Sequence, residues 1–143
     1  MGMIETTGIH HLRLTVTDLD RSRAFYQDVL GFDVAVESQG DPADPAVRSD
    51  PARFYGGVVF QTNGMLIGLR PVAEKNDRFD SERVGLDHLS FTVTSPDDLT
   101  KAAARLAEAG IEHGEVIELD NLGIAILSFS DPDGVHLELT AAL

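Results

Sequence analysis

Apolar and polar positions alternate most regularly in two short stretches, His11-Leu12-Arg13-Leu14-Thr15-Val16-Thr17 and His88-Leu89-Ser90-Phe91-Thr92-Val93-Thr94. Five of the seven positions are identical, and the offset is a constant 77 residues. A period of two predicts half-buried strands. Each stretch runs directly into a helix-start signal, so the chain reads as a tandem of two similar supersecondary units.

The pattern predicts the first unit as a strand over 9–16 and a helix from Thr17 or Asp18 to about Leu30, with Phe25 and Val29 on its buried face and Gly31 just past its end. A strand over 32–36 and a hairpin of 54–60 with 65–70 follow, turned at Asn63-Gly64. Between them, 37–53 lacks an apolar period and contains Asp41-Pro42, Asp44-Pro45 and Asp50-Pro51. Prolines block regular structure, so this stretch is expected to be a long surface loop. The polar segment 71–85 joins the halves. The second unit repeats the plan. A strand over 86–93 precedes a helix capped by Ser95, with Pro96 first inside it and Asp98 at its third position, ending near Ala109 and Gly110. Leu99, Ala103 and Leu106 form its apolar face. Strands over 112–119, 123–129 and 135–140 follow, the last after an Asp131-Pro132-Asp133-Gly134 turn.

The expected fold class is therefore α+β. Residues 1–143 form a single domain, with module 1 at about 8–70, a linker at 71–85 and module 2 at about 86–140. At this length the chain buries a core without staples. It has no cysteine, which excludes disulfides, thiolate metal sites and a cysteine nucleophile. A net charge of −13 disfavours nucleic acid as a partner and otherwise serves solubility. No apolar run is long enough to span a membrane, and no basic region followed by an apolar run opens the chain, so a cytoplasmic protein is expected.

Side-chain alternation puts His11, Arg13 and Thr15 on one face of the first strand and His88, Ser90 and Thr92 on one face of its counterpart. On the last strand, Leu137-Glu138-Leu139 turns Glu138 away from two leucines, onto the face that carries His136. Two imidazoles and a carboxylate on rigid strands are a donor set for divalent Fe, Mn, Co, Ni or Zn, with positions left open for substrate. His11, His88 and Glu138 are thus the candidate metal ligands. Glu138, His136 and Arg13 are the candidate catalytic groups. His136 is a candidate orienting group or acid–base, or else a rim residue in water. Arg13 needs a counter-charge, either an anionic substrate group or an acidic neighbour. His10 is expected on the opposite face from His11, in a structural role. The repeat makes Ile67-Gly68-Leu69 the counterpart of Leu137-Glu138-Leu139, so a glycine stands where the second unit has its carboxylate.

These residues resemble the vicinal oxygen chelate superfamily, which includes glyoxalase I, bleomycin-resistance proteins, fosfomycin-resistance transferases and extradiol dioxygenases. The resemblance is carried by Gly8-Ile9-His10-His11-Leu12, by residues 15–22 with Phe25-Tyr26 and Val29-Leu30-Gly31-Phe32, and by Leu86-Asp87-His88 and 131–134 with Leu137-Glu138-Leu139. It implies tandem βαβββ modules forming a curved, partly open eight-stranded barrel-like sheet with helices outside. The family's ligand positions fall on His11, Gly68, His88 and Glu138. With glycine at the second position, the glutamate used by glyoxalase I is missing, and a His-His-Glu triad resembles instead the extradiol dioxygenases and fosfomycin-resistance transferases.

The expected function is that of a divalent-metal enzyme acting on a small substrate bound through vicinal oxygens, with dioxygenase-type chemistry first. A lyase, isomerase or thiol transferase on the same site is the alternative. The rival of a different class is a metal-free protein that sequesters an antibiotic or another ligand. A homodimer is expected, because each βαβββ half is an open sheet with unpaired edges.

Overall fold

The computed structural model describes residues 2–143, as two compact units divided between Asp77 and Arg78. Unit 1 comprises β1 (His11–Thr15), α1 (Leu19–Asp28), β2 (Asp33–Glu37), the short helix α2 (Pro45–Arg48), a 3-10 turn (Pro51–Gly56), β3 (Val58–Thr62) and β4 (Met65–Arg70). Unit 2 comprises β5 (Leu89–Thr92), α3 (Pro96–Glu108), β6 (Ile117–Leu119), a 3-10 turn (Asp120–Leu122), β7 (Ile124–Ser130) and β8 (His136–Ala142). The eight strands form two four-stranded sheets of the same plan, ordered β1-β4-β3-β2 and β5-β8-β7-β6. In each, the first strand joins the last in parallel and the other neighbours are antiparallel.

Each sheet buries one face under its own helix. In unit 1, Leu14, Val16, Val58, Phe60, Ile67 and Leu69 are buried on the α1 side. Tyr26 of α1 is wholly buried and stacks near Phe32 and Phe60, with ring centroids 6.1 and 6.0 Å away. Burial of one such ring contributes about 1.5–3 kcal/mol. The buried residues of α1 are Ser22 and Tyr26; Phe25 and Val29, the expected pair, lie half-buried beside them. In unit 2, Leu99 and Leu106 of α3 pack towards Leu127, Leu137 and Leu139, and Ala103 is half-buried. The caps follow from the sequence. Asp18 accepts from the Arg21 N–H at 3.0 Å, and Asp98 accepts from the Ser95 N–H at 3.1 Å. Gly31 and Gly110 end the two helices at φ 69° and 71°, where a side chain would be strained.

The segment expected to be an irregular loop over 37–53 is ordered differently. Asp44 and Asp50 each cap a short helical turn, accepting from Ala46 N–H and Ala52 N–H at 2.9 Å, and the proline after each sits at the first helical position. An Asp-Pro pair is a helix start as well as a break, because proline at that position lacks only an N–H that would go unpaired anyway. Val47 is buried, and Arg48 ties the segment to the carbonyls of Pro71 and Val72 at 3.2 Å each. A second difference concerns the strand expected over 112–119. It shrinks to Ile117–Leu119 with an isolated bridge at His113, Gly114 lying between the two.

Candidate functional site

The face of the unit 2 sheet turned away from α3 holds a cluster of polar groups. Ser90 on β5 pairs in register with Glu138 on β8, and His88 immediately precedes β5. His88 Nε2 and Glu138 Oε1 stand 3.9 Å apart, with the glutamate side chain only 16% exposed. Each is held from behind. The Asp87 carboxylate lies 2.6 Å from His88 Nδ1, which keeps Nε2 as the free nitrogen facing Glu138. The Thr140 hydroxyl donates to Glu138 Oε1 at 3.1 Å and is itself hydrogen-bonded to Ser90 Oγ at 2.5 Å. The hydrogen bond to Asp87 raises the His88 pKa above its ordinary value against the pull of desolvation, and the charges of Glu138 and Asp87 add to the rise. The pair opens into a cavity of about 560 Å³, lined also by Glu112, His113, Ser128 and His136. His136 sits exposed at its edge, its ring edge-on to Phe79 at 5.4 Å.

Unit 1 has the same register and different chemistry. Arg13 on β1 pairs with Gly68 on β4, as Ser90 pairs with Glu138. The Arg13 guanidinium lies against that glycine: a Cβ at position 68 would stand 2.9 Å from Arg13 Nη1 and 3.1 Å from its Cζ. Both Arg13 and Arg70, two residues further along β4, lie over the ring of Tyr55, at 5.2 and 4.0 Å from its centroid. His11, also on β1, is exposed. Its Nδ1 is 2.8 Å from Nδ1 of His10, which corrects the expectation that His10 faces the other way. Strand alternation does not govern His10, because β1 begins only at His11.

Residues 8–139 match the glyoxalase/bleomycin resistance protein/dioxygenase superfamily. The chain belongs to it. It is 36% identical to the uncharacterized protein YwkD of Bacillus subtilis over 132 residues, covering 92% of this chain and 94% of that one. A solved structure of a glyoxylase/bleomycin resistance protein/dioxygenase domain from Frankia sp. EAN1pec superposes with a TM-score of 0.75 at 31% identity, covering 97% of this chain and 94% of the other. The metallothiol transferase FosB of Lysinibacillus sphaericus is 25% identical over 91% of this chain and 79% of its own length.

Of the four positions expected as ligands, His88 and Glu138 lie together in unit 2, and His11 and Gly68 lie on paired strands of unit 1. Among the described residues, no three His, Asp or Glu side chains gather in one place to hold an ion. At 3.9 Å the His88–Glu138 pair is wider than the about 3.0–3.4 Å that two donors span on one ion at cis-octahedral or tetrahedral angles, so sharing an ion would draw Nε2 and Oε1 together. The sequence pattern placed Ser90 on the face of His88 and did not single out Asp87, Thr140 or Arg70. Arg70 was accessible to the same parity argument as Arg13, being two residues from Gly68 on one strand. Asp87 was not, because it is the immediate neighbour of His88 and joins it only where the chain is not yet a strand.

Proposed function

We propose that this protein is a divalent-metal-dependent enzyme that binds a small substrate through vicinal oxygens at a site made of His11, His88 and Glu138. The observation that carries the reading is the His88–Glu138 pair, 3.9 Å apart and oriented from behind by Asp87 and Thr140. His11 enters as the repeat-equivalent of His88, donated in a homodimer by the partner subunit. In support of pairing, β1 and β5 are edge strands of their sheets, and Ile4, Ile9 and Val84 are largely exposed apolar side chains.

A bound Fe, Mn, Zn, Ni or Co ion would supply Lewis acidity and open positions for two substrate oxygens. The chain's own groups supply the rest. Asp87 fixes the ring of His88 and thereby which nitrogen is offered. Thr140 holds Glu138 by one oxygen and leaves the other free. His136, at the cavity edge, is placed to exchange a proton with a substrate in the cavity. Arg13 holds an anionic part of the substrate. Dioxygenase-type ring cleavage is the first reaction assigned, on the triad. A thiol-transferase or lyase reaction is the second, favoured by the likeness to FosB and by the cations of unit 1.

Metal analysis of untagged protein, with turnover compared in air and without oxygen, tests the proposal. Stoichiometric metal that His88→Ala and Glu138→Gln both remove is the expected result. Metal-free protein that still binds a small molecule would establish the sequestering alternative instead, and oxygen-independent turnover would set aside the dioxygenase.

A further inference from the structure

Two cations of unit 1 have no counter-charge. Neither Arg13 nor Arg70 makes a hydrogen bond or ion pair among the described residues, in a chain of 24 acidic and 11 basic residues. Arg13 Nη1 and Arg70 Nε are closed off from solvent and unpartnered. A guanidinium carries five donors and cannot shed its charge, so a buried one without an acceptor stands in want of one. The Tyr55 ring lies over both, and the bare backbone of Gly68 lies against Arg13.

Three features keep the pair in this state. Glycine at 68 leaves room for the Arg13 guanidinium, which any Cβ there would crowd at 2.9–3.4 Å. Phe54 and Tyr55 are successive non-glycine residues at φ 52° and 57°, a conformation that L side chains rarely adopt and that sets the Tyr55 ring over both arginines. The carboxylate of Asp50, in the segment that carries Tyr55, is engaged within that segment, 3.6 Å from Arg53 and accepting from the Ala52 N–H.

We propose that Arg13 and Arg70, set beneath Tyr55, are a recognition site for the oxyanion of a small substrate, a carboxylate or a phosphonate. Two planar forks match the paired oxygens of either group in the bidentate manner that a lysine does not reproduce. Arg13 lies two residues along β1 from His11, about 7 Å, so the oxyanion belongs at the opposite end of the substrate from its chelating oxygens. That placement rests on the metal-enzyme reading; the anion site itself rests on unit 1 alone. Because the Tyr55 ring lies 4.0 Å from Arg70 Cζ, an oxyanion reaching the closed-off Nε must shift it.

Tyr55 is also the reporter. The chain has two tyrosines and no tryptophan, and the other, Tyr26, is wholly buried in the core. Chelator-treated protein, free of divalent metal, is titrated with methylphosphonate and with acetate at constant ionic strength, with chloride as control, following the near-ultraviolet tyrosine spectrum and the heat of binding. The expected result is a saturable change with one or both oxyanions and none with chloride. Arg70→Gln weakens it at least tenfold, Arg13→Gln does likewise, and His88→Ala leaves it untouched. If either glutamine variant fails to fold, Arg70→Lys keeps the charge, loses the fork and still weakens binding. No saturable signal in the wild type, or equal binding in Arg70→Gln or Arg70→Lys, overturns the proposal. A failed metal assay with intact anion binding would condemn the enzyme reading and leave this site standing.

Discussion

The two units are built on one register and carry opposite charge at the same place. In unit 2, Ser90 opposes Glu138; in unit 1, Arg13 opposes Gly68. The difference is paired: where one strand carries a long cation, its neighbour has no side chain, and the guanidinium fills the space beside that glycine. One sheet thus presents an imidazole and a carboxylate, and its sibling presents two guanidinium groups, around the same register position.

The largest expected effect breaks the unit 2 half. His88→Ala should lower metal affinity by more than about 100-fold, beyond the 10–100-fold typical of an orienting partner, while leaving the fold intact, because the ring is half-exposed. Mixing His11→Ala chains with His88→Ala chains sharpens the assembly question. If His11 comes from the partner subunit, the mixed dimer holds one intact site and recovers metal binding and turnover. If each site lies within one chain, nothing is recovered.

Gly68→Glu tests the unit 1 half. The new carboxylate meets Arg13 at once, so the single substitution should cost about tenfold or more in oxyanion affinity by consuming a charged partner, with little gain in metal. The double variant Arg13→Ser, Gly68→Glu restores at this register position the serine–glutamate pair of unit 2, and only it should tighten the metal held with His11 by supplying a fourth ligand. Metal affinity after chelation and reloading distinguishes the two.

The smallest effects belong to Asp87. Asp87→Asn should weaken metal binding by about 10–100-fold and, in metal-free protein, bring the His88 pKa back towards 6.5, as read by NMR titration. The sign follows from the raised value. Protonated His88 favours the folded state at pH below its unfolded pKa, and that contribution fades as pH rises through the folded pKa. Metal competes with the same proton, so metal affinity should climb over the same interval.

What the sequence made legible is whatever the repeat and the alternation govern. The equivalence of Gly68 with Glu138 was readable before any coordinates because each lies four residues after a turn glycine, Gly64 or Gly134, and one before a leucine, and the register bears it out. The helix ends were readable from Asp18, Ser95, Gly31 and Gly110. Two things were hidden. Proline at 45 and 51 reads equally as a break or as a helix start, and only the Asp44 and Asp50 hydrogen bonds decide. The pairing of Arg70 with Tyr55 depends on a left-handed turn at two residues that carry no glycine signal.

The parallel first strands have a kinetic side. His11 on β1 finds Leu66 on β4, and Leu89 on β5 finds Leu137 on β8, whereas the β3–β4 and β7–β8 pairings close through short turns. Longer closures forfeit more chain entropy before any contact compensates. Each unit should therefore zip its hairpin first and take up its leading strand last. Arg13 rides on one of these late-arriving strands, and His11 and His88 stand at their leading ends. A ligand gripping those residues would act as a latch on the final step, slowing the departure of the strand during unfolding far more than it speeds its arrival.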